Sequence, residues 1–192
     1  MGSVTYIKNL IFDKDIASIA PSSRYGVKRL CKKIDFSKEN VIVEYGPATG
    51  VFTFPILEKM CKNSKLIAIE KNRNFAKQLR GRNMPGLIVE EGNAQDIRRI
   101  LRKHGIEKAD YVLSGIPLSF FDKHSKEKLM KETYMCLRPE GKFLVYQFSS
   151  KSGKYLQKQF DHVIREFEVL NIPPLSIFEA IKYGDGSKTS KT

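Results

Sequence analysis

The chain has 192 residues, of which 41% are hydrophobic, and its 34 lysines and arginines against 21 aspartates and glutamates give a net charge of +13. This length suits one globular domain with a full core, and the apolar content argues against global disorder. No apolar run approaches the ~18 residues of a membrane span, and no signal-peptide pattern opens the sequence. The three cysteines lack metal-ligand spacing, so we expect reduced thiols, a cytosolic location and no metal site.

The positive charge favours a polyanionic partner, either nucleic acid or an anionic membrane surface. Lysine and arginine are spread along the whole chain, with a local concentration at residues 97–105. This dispersal does not by itself distinguish RNA from lipid.

The first predicted element is a short amphipathic helix near the start of the chain. Its apolar stripe, with Lys8 beside it, consists of Val4, Ile7, Leu10 and Ile11. Such a helix can lie in a membrane interface or cover the core of its own domain. We therefore assign residues 1–20 to an N-terminal amphipathic membrane-contact segment, and the two alternatives stay open.

A second helix is predicted to begin at Ser22 or Ser23, because serine favours helix N-caps. Beyond it, strand and helix patterns alternate, which predicts a parallel sheet covered by helices on both faces. Five short apolar runs are the predicted strands, at residues 41–45, 66–70, 87–91, 111–115 and 142–148. Helices are predicted at residues 52–60, 75–79 and 124–137, and a turn at residues 138–142.

Two further strands are predicted at residues 162–170 and 175–183, joined by the segment NIPP. They form an antiparallel pair that completes a seven-stranded, mostly parallel sheet. This order of elements predicts a Rossmann-like α/β domain over residues 21–183. The polar, glycine-rich residues 184–192 are expected to form a disordered tail.

The segment VIVEYGPATGVFT, residues 41–53, places a glycine loop after the first strand, where ligands of open α/β sheets bind. Gly46 and Gly50 allow a tight turn and close approach of a ligand. A dinucleotide needs amide donors around its pyrophosphate, but Pro47 lacks an N–H and Glu44 would repel phosphate. The carboxylate instead suits the ammonium and sulfonium of S-adenosylmethionine (SAM), which has no phosphate.

Polar groups follow the next two strands as well. Glu70 ends the second strand and can accept hydrogen bonds from both hydroxyls of a ribose. After the third strand, Asn93 can face the amine of an adenine, with Ala94 packed beside the ring. The predicted cofactor-binding residues are Glu44, Gly46, Pro47, Thr49, Gly50, Glu70, Lys71, Asn93, Ala94 and Ser114.

The chain resembles the class I SAM-dependent methyltransferases, and it is most similar to the bacterial phospholipid N-methyltransferases, which make phosphatidylcholine from phosphatidylethanolamine. The matching segments are IASIAPSSRYGVKRL, VIVEYGPATGVFT, IAIEKN, EGNAQDI, YVLSGIPLSFF, LRPEGKFLVYQFS and FEVLNIPP. The chain departs from that family at Asn93, where an aspartate is usual, and at Leu170, where an arginine is common. The segment before PSS is also shorter than in many members, which bears on membrane contact.

The resemblance implies N-methylation of a lipid amine, with S-adenosylhomocysteine as a product. Displacement at the methyl carbon needs an amine held in line, with its lone pair free. Backbone carbonyls of Ser114 and Gly115 would orient the amine, since Gly115 permits this turn and Pro117 stiffens it. The predicted catalytic residues are Ser114, Gly115, Ile116, Pro117 and Tyr25. We expect no covalent intermediate and no metal.

A helix start can also hold an anion, so Ser22, Ser23 and Arg24 are predicted to bind the phosphodiester of the substrate. Aromatic faces attract an alkylated ammonium by roughly 1–2 kcal/mol per desolvated contact. The predicted aromatic surround consists of Tyr25, Phe120, Phe121 and Tyr146. A plain helix cap and ordinary core packing are the alternatives for these residues.

An RNA-adenine N6-methyltransferase would also explain the charge and the SAM loop. Such enzymes typically place an aromatic residue after the last proline of the motif, to stack on a flipped base, and here Leu118 takes that place. A soluble small-amine methyltransferase and a non-catalytic SAM-binding module are further alternatives. The preferred interpretation is a phospholipid N-methyltransferase that is cytoplasmic and peripherally associated with the inner face of the membrane.

Overall fold

A computed structural model describes residues 21–147, 153–171 and 174–184, without the side chains of residues 21–23 and 119. The predicted membrane-contact segment 1–20 lies outside the described residues, as does nearly all of the predicted tail. The division of the chain into these segments and a central domain therefore stays a prediction.

The described residues form one seven-stranded sheet in the order β3-β2-β1-β4-β5-β7-β6. The strands are β1 (Val41–Tyr45), β2 (Lys65–Glu70), β3 (Leu87–Glu91), β4 (Ala109–Ser114), β5 (Leu137–Gln147), β6 (His162–Glu168) and β7 (Leu175–Ile181). Strands β1 to β5 are parallel, whereas β7 is antiparallel to both β5 and β6. The predicted seven-stranded, mostly parallel Rossmann-like sheet is confirmed. Only β7 reverses direction, so β6 again runs parallel to the first five strands.

Helices cover both faces of this sheet, as predicted. They are α1 (Pro21–Cys31), α2 (Thr53–Leu57), α3 (Arg73–Gly81), α4 (Ile97–Lys103), α5 (Lys123–Cys136) and α6 (Gly153–Gln159). Helix α1 already includes Pro21, a residue that suits the first helical turn. Ser22 and Ser23 therefore lie inside the helix, and the prediction that one of them is its N-cap is wrong.

Two apolar clusters lie on the two faces of the sheet. Neighbouring residues of β5 show the division, since Phe143 belongs to one cluster and Leu144 to the other. Helices α4, α5 and α6 contribute to the first cluster, and helices α1 and α2 contribute to the second. Val27 and Leu30 of α1 are buried, and so is Ile34, which follows the end of the helix.

The predicted turn at residues 138–142 is part of β5. Helix α5 passes directly into the strand at Leu137, and Glu140 takes a left-handed φ of 62°. The register between β4 and β5 shifts here, as at a β-bulge. The Glu140 N–H donates to the Lys182 carbonyl (2.7 Å), and the Lys182 N–H donates to the Gly141 carbonyl (3.0 Å). The prediction of a separate turn is wrong, because this segment pairs with residues just beyond β7.

Ion pairs join helix α1 to the strands at one edge of the sheet. Arg29 contacts Glu168 at 2.7 Å. Lys33 lies between Glu166, at 2.7 Å, and Glu179, at 2.8 Å. The hydrogen bond from Lys33 holds the pKa of Glu166 below its usual value. These contacts fix helix α1 against β6 and β7.

Candidate active site

The glycine loop and the S-G-I-P turn meet at the carboxyl edge of the sheet. Tyr45, at the end of β1, is in register with Ser114, at the end of β4. Gly46 has a left-handed φ of 63°, and its N–H donates to the Ile69 carbonyl (2.9 Å). A Cβ at Gly46 would lie 2.8 Å from the side chain of Ile116. Glycine is therefore required here, both for the backbone conformation and for the contact between the two loops.

Glu70 fixes the glycine loop through its carboxylate. One oxygen accepts the N–H of Ala48 (3.0 Å) and the other accepts the N–H of Asn72 (2.7 Å). Ala48 itself has a left-handed φ of 50°, a conformation that is unfavourable for residues other than glycine. A carboxylate has further lone pairs that can accept ribose hydroxyls. The predicted ribose role of Glu70 fits this geometry and stays a prediction.

Asn93 follows β3, whose last residue, Glu91, is in register with Glu70. The Gly92 N–H donates to the Glu70 carbonyl at 3.0 Å, which brings the ends of the two strands together. Ala94 is buried, whereas Asn93 is exposed, and its side-chain oxygen accepts the Gln95 N–H at 3.1 Å. The oxygen that was predicted to face an adenine is thus already bonded to the backbone. The adenine role of Asn93 and Ala94 remains untested.

Gly50 closes the glycine loop. Its N–H donates to the Pro47 carbonyl (2.9 Å), and its φ is 86°. A Cβ at Gly50 would collide with the ring of Phe54. Pro47 is buried, and Thr49 and Lys71 are exposed, so these three predicted cofactor residues differ in their access to a ligand.

Glu44 is buried completely, although it was predicted to contact a cationic ligand. Its carboxylate accepts hydrogen bonds from the Thr53 hydroxyl (2.6 Å) and from the Tyr146 hydroxyl (3.2 Å). Burial raises the pKa of Glu44 from 4.5 to about 7, although both hydroxyls oppose the shift, and the neighbouring charge of Glu70 adds to it. The structure does not present this carboxylate to solvent, so its predicted contact with SAM stays a prediction.

Two residues of this site were missed in the sequence: Phe52 and Thr53. The ring of Phe52 stacks on Tyr146 with centroids 4.0 Å apart. Thr53 supplies the shorter hydrogen bond to Glu44. Both residues directly follow the glycine loop, within the segment VIVEYGPATGVFT. An aromatic ring and a hydroxyl so close to the loop were the features of the sequence from which their part in the site could have been predicted.

Gly115 lies against the ring of Tyr146, where a Cβ would be 2.6 Å from the ring. The ring has little freedom to move, because it is stacked on Phe52 and bonded to Glu44. We therefore expect Gly115→Ala to lower the free energy of unfolding by about 1–3 kcal/mol. We also expect methyl transfer to fall more than SAM affinity.

Urea unfolding, SAM titration and turnover would test Gly115→Ala. The matched control is Gly81→Ala in helix α3, where a Cβ meets nothing within 4 Å. If the two alanine variants proved equally stable and active, the contact between Gly115 and Tyr146 would have no bearing on the site.

The S-G-I-P turn is tied to its own strand. Ser114 is buried, and its hydroxyl accepts the Ile116 N–H at 3.3 Å. The Pro117 carbonyl accepts the Phe120 N–H at 3.0 Å and begins a short 3-10 turn. The four predicted residues Ser114 to Pro117 therefore form one braced turn beside the glycine loop.

The four rings of the predicted aromatic surround differ in burial and in the face of the sheet that they pack against. Tyr146 is buried in the cluster on one face of the sheet, whereas Phe121 packs against the cluster on the other face. Phe120 and Tyr25 are 51% and 44% exposed. The packing thus places Tyr146 and Phe121 on opposite faces of the sheet, and their predicted role around an alkylated ammonium stays a prediction.

The start of helix α1 lies near the same edge as Phe52. A Cβ at Gly26 would lie 3.8 Å from the Phe52 ring and 3.4 Å from the Asn171 side chain. Arg24 and Tyr25 precede this contact and are exposed. Of Ser22 and Ser23 only the helical backbone is described, so their predicted phosphodiester contacts are untested.

The residues of this edge fit SAM better than a dinucleotide. Gly46 and Gly50 form a tight left-handed loop, Pro47 offers no N–H to a phosphate, and the Glu70 carboxylate has lone pairs that can accept the hydroxyls of a ribose. Bound SAM supplies a methyl group activated by its sulfonium. The fold and this site define a class I SAM-dependent methyltransferase.

Comparisons with known proteins agree with that class. No family model matches the chain. In sequence, the chain is 33% identical to the ornithine lipid N-methyltransferase of Singulisphaera acidiphila. The similarity extends over 166 residues, which are 85% of this chain and 86% of that protein. The protein therefore belongs to the same family as that ornithine lipid N-methyltransferase.

Solved structures share the fold at low identity. The 1,6-didemethyltoxoflavin-N1-methyltransferase of Burkholderia thailandensis, with S-adenosylhomocysteine bound, is similar with a TM-score of 0.70 and 12% identity, over 94% of this chain and 87% of that one. The N-methyltransferase NodS of Bradyrhizobium japonicum is similar with a TM-score of 0.67 and 12% identity, over 85% and 98% of the two chains. These matches confirm the fold, and SAM is the cofactor.

Proposed function

We propose that this enzyme transfers a methyl group from SAM to the amine of a membrane lipid head group. The observation that carries the proposal is the 33% identity over 166 residues with an ornithine lipid N-methyltransferase. That relative favours the ornithine lipid amine, whereas the S-S-R, S-G-I-P and N-I-P-P segments resemble enzymes of phosphatidylethanolamine. Both amines are primary and both are attached to lipid, so the shared chemistry is N-methylation at a membrane surface.

The described residues would act by holding the amine. Carbonyls of Ser114 and Gly115 in the braced turn would each accept an amine N–H and direct the lone pair towards the methyl group. The buried ring of Tyr146 closes one side of this turn. Rate enhancement would come from proximity and exclusion of water.

A peripheral location on an anionic membrane is part of this proposal. No helix of the described residues is long and apolar enough to cross a bilayer. The net charge of +13 favours anionic lipid. Exposed apolar side chains also cluster at the end of β6, where Phe167, Val169 and Leu170 are 51%, 69% and 57% exposed. These residues precede the N-I-P-P segment, on the same side of the molecule as the start of α1.

Methyl transfer from radiolabelled SAM tests the substrate. Parallel reactions would hold vesicles with ornithine lipid, vesicles with phosphatidylethanolamine and phosphatidylglycerol, and unmodified total RNA. We expect label in a lipid extract, and chromatography of the product would count the methyl groups. Label in RNA alone would overturn the proposal. We do not expect that result, because Leu118 stands where RNA-adenine enzymes have a stacking aromatic, and it is buried in the core.

We predict that Leu170→Asp weakens co-sedimentation with phosphatidylglycerol-containing vesicles about tenfold. The change removes an apolar side chain that can enter the lipid surface and adds a charge that anionic lipid repels. Met135→Asp is the matched control, because Met135 is also exposed but lies at the end of α5 that leads into β5, away from the carboxyl edge. Equal vesicle binding by the two variants would show that the end of β6 is not part of the membrane-docking surface.

A further inference from the structure

A groove of about 560 Å³ lies between helix α1 and the segment that leads from the glycine loop through helix α2. Its floor is apolar and consists of Val27, Cys31, Phe36, Val51 and Pro55. This volume lies within the ~300–1,000 Å³ range of small-molecule sites. The groove is separate from the SAM site, since neither Glu70 nor Ser114 lines it, but Val51 directly follows Gly50. One end of the groove therefore adjoins the glycine loop.

The rim of this groove is cationic. Arg24 and Lys28 line it from helix α1, Lys32 lines it from the turn directly after that helix, and Lys59 lines it from the α2 side; no acidic residue is among the described lining residues. The first three cations are spaced four residues apart, and the Lys32 N–H donates to the Lys28 carbonyl (3.2 Å), so they form one stripe of mutually repelling charge. In the described ranges, none of the four forms an ion pair. An anion bound there would relieve this repulsion.

Two neighbouring basic residues behave differently: Arg29, in the last turn of helix α1, and Lys33, two residues after its end. Arg29 and Lys33 are neutralised by glutamates of β6 and β7. The helix therefore has one face whose charges are paired within the protein and one face, along the groove, whose charges are not. The unpaired charge is a property of the groove and not of the helix as a whole.

An apolar floor beneath a cationic rim fits an amphiphilic anion. RNA would leave most of the floor unused, since single-stranded bases stack on aromatic rings and Phe36 is the one aromatic among the described lining residues. Residues 1–20 contain two lysines and two aspartates, so their side chains sum to zero charge and would not neutralise the four cations. We propose that the groove binds one molecule of an anionic membrane lipid, with its acyl chain on the floor and its phosphate at the rim.

Isothermal titration of the full-length protein with lauroyl-lysophosphatidylglycerol, below its critical micelle concentration, tests this proposal. We expect saturable binding at one site per chain. Binding should weaken about tenfold in the double variant Lys28→Gln/Lys32→Gln, because two charge-assisted contacts are lost. The control Lys77→Gln/Lys131→Gln changes the net charge equally, from +13 to +11 (13 − 2), at exposed sites on helices α3 and α5. SAM titration of each variant reports whether the fold is retained.

Two further ligands separate the sources of the binding energy. Glycerol 3-phosphate lacks the acyl chain, and lauroyl-lysophosphatidylcholine lacks the net negative charge; each should bind at least about tenfold more weakly. If glycerol 3-phosphate bound as tightly as the lipid, the groove would recognise only the anion and not the acyl chain, which would overturn the proposal. Equal losses in the two double variants would also overturn it, since only overall charge would then matter.

A photoreactive side chain identifies the occupant directly. Phe36→benzoylphenylalanine in the full chain should form an adduct with the lysolipid. A cross-link to residues 1–20 that persists at saturating lipid would assign the groove to the chain's own start and overturn the proposal. Retention of RNA that is lost in Lys28→Gln/Lys32→Gln, without lysolipid binding, would assign it to nucleic acid. The inference goes beyond the proposed function, because binding is measured without turnover and would stand even if no lipid were methylated.

Discussion

Glu70→Ala is expected to weaken SAM binding about 100-fold, which corresponds to about 2.7 kcal/mol. The carboxylate holds two backbone N–H groups, those of Ala48 and Asn72, and each bond to a charged group is worth about 1.5–3 kcal/mol. Alanine removes both bonds together with the predicted acceptor for the ribose hydroxyls. The left-handed Ala48 then loses the contact that holds it, so the loop becomes less ordered as well.

Calorimetric titration with SAM and with S-adenosylhomocysteine would measure this loss. Glu91→Ala is the matched control, because Glu91 ends β3 in register with Glu70 but is exposed. Glu91→Ala should bind SAM like the unmodified protein. If Glu70→Ala kept its affinity within about threefold while its unfolding free energy fell, Glu70 would have a structural role only.

The second large effect is the contribution of Glu44 to stability, which falls as pH rises from about 4.5 to about 7. Burial raises the pKa of this carboxyl from 4.5 to about 7. Below the lower value the group is protonated in both the folded and the unfolded chain. Between the two values the folded chain keeps a proton that the unfolded chain has lost, so the folded state is progressively disfavoured as pH rises. Above pH 7 the full cost is present, and a shift of 2.5 units (7 − 4.5) corresponds to about 3 kcal/mol.

Glu44→Gln removes this titration and keeps the size of the side chain. We expect the unfolding free energy of Glu44→Gln, relative to the unmodified protein, to increase by about 2.5 kcal/mol between pH 5 and pH 8. Urea unfolding at a series of pH values gives this difference, in which other titrating groups cancel. Glu91→Gln, at an exposed strand end, is the matched control for the substitution itself. Parallel curves for Glu44→Gln would mean that Glu44 titrates normally.

The fold was predicted well where the signal was local. Strands β1 and β3 begin and end at the predicted residues, because each is a short apolar run bounded by polar or glycine residues. The bulge around Glu140 was not predicted, since its hydrogen bonds reach Lys182, far along the chain. A turn and a bulge with the same local sequence differ only in such distant partners.

The site was predicted in part for the same reason. The glycines and Glu70 follow directly from strand ends, and the structure brings them together. The burial of Glu44 depends on Tyr146, which is 102 residues away. The separation of Tyr146 from Phe121 depends on which sheet face each side chain packs against. Neither fact is contained in the neighbouring sequence.

The ion pairs of helix α1 have a consequence for how the enzyme meets its substrate. Arg24 and Tyr25 precede Arg29 on one helix, and Lys33, two residues after the helix ends, is held between two glutamates of the sheet edge. A tilt of the helix would separate these charges, so the ion pairs oppose movement of the helix. The shape of the entrance is then set when the chain folds and does not have to be made when a ligand arrives, which keeps the ordering cost of binding small.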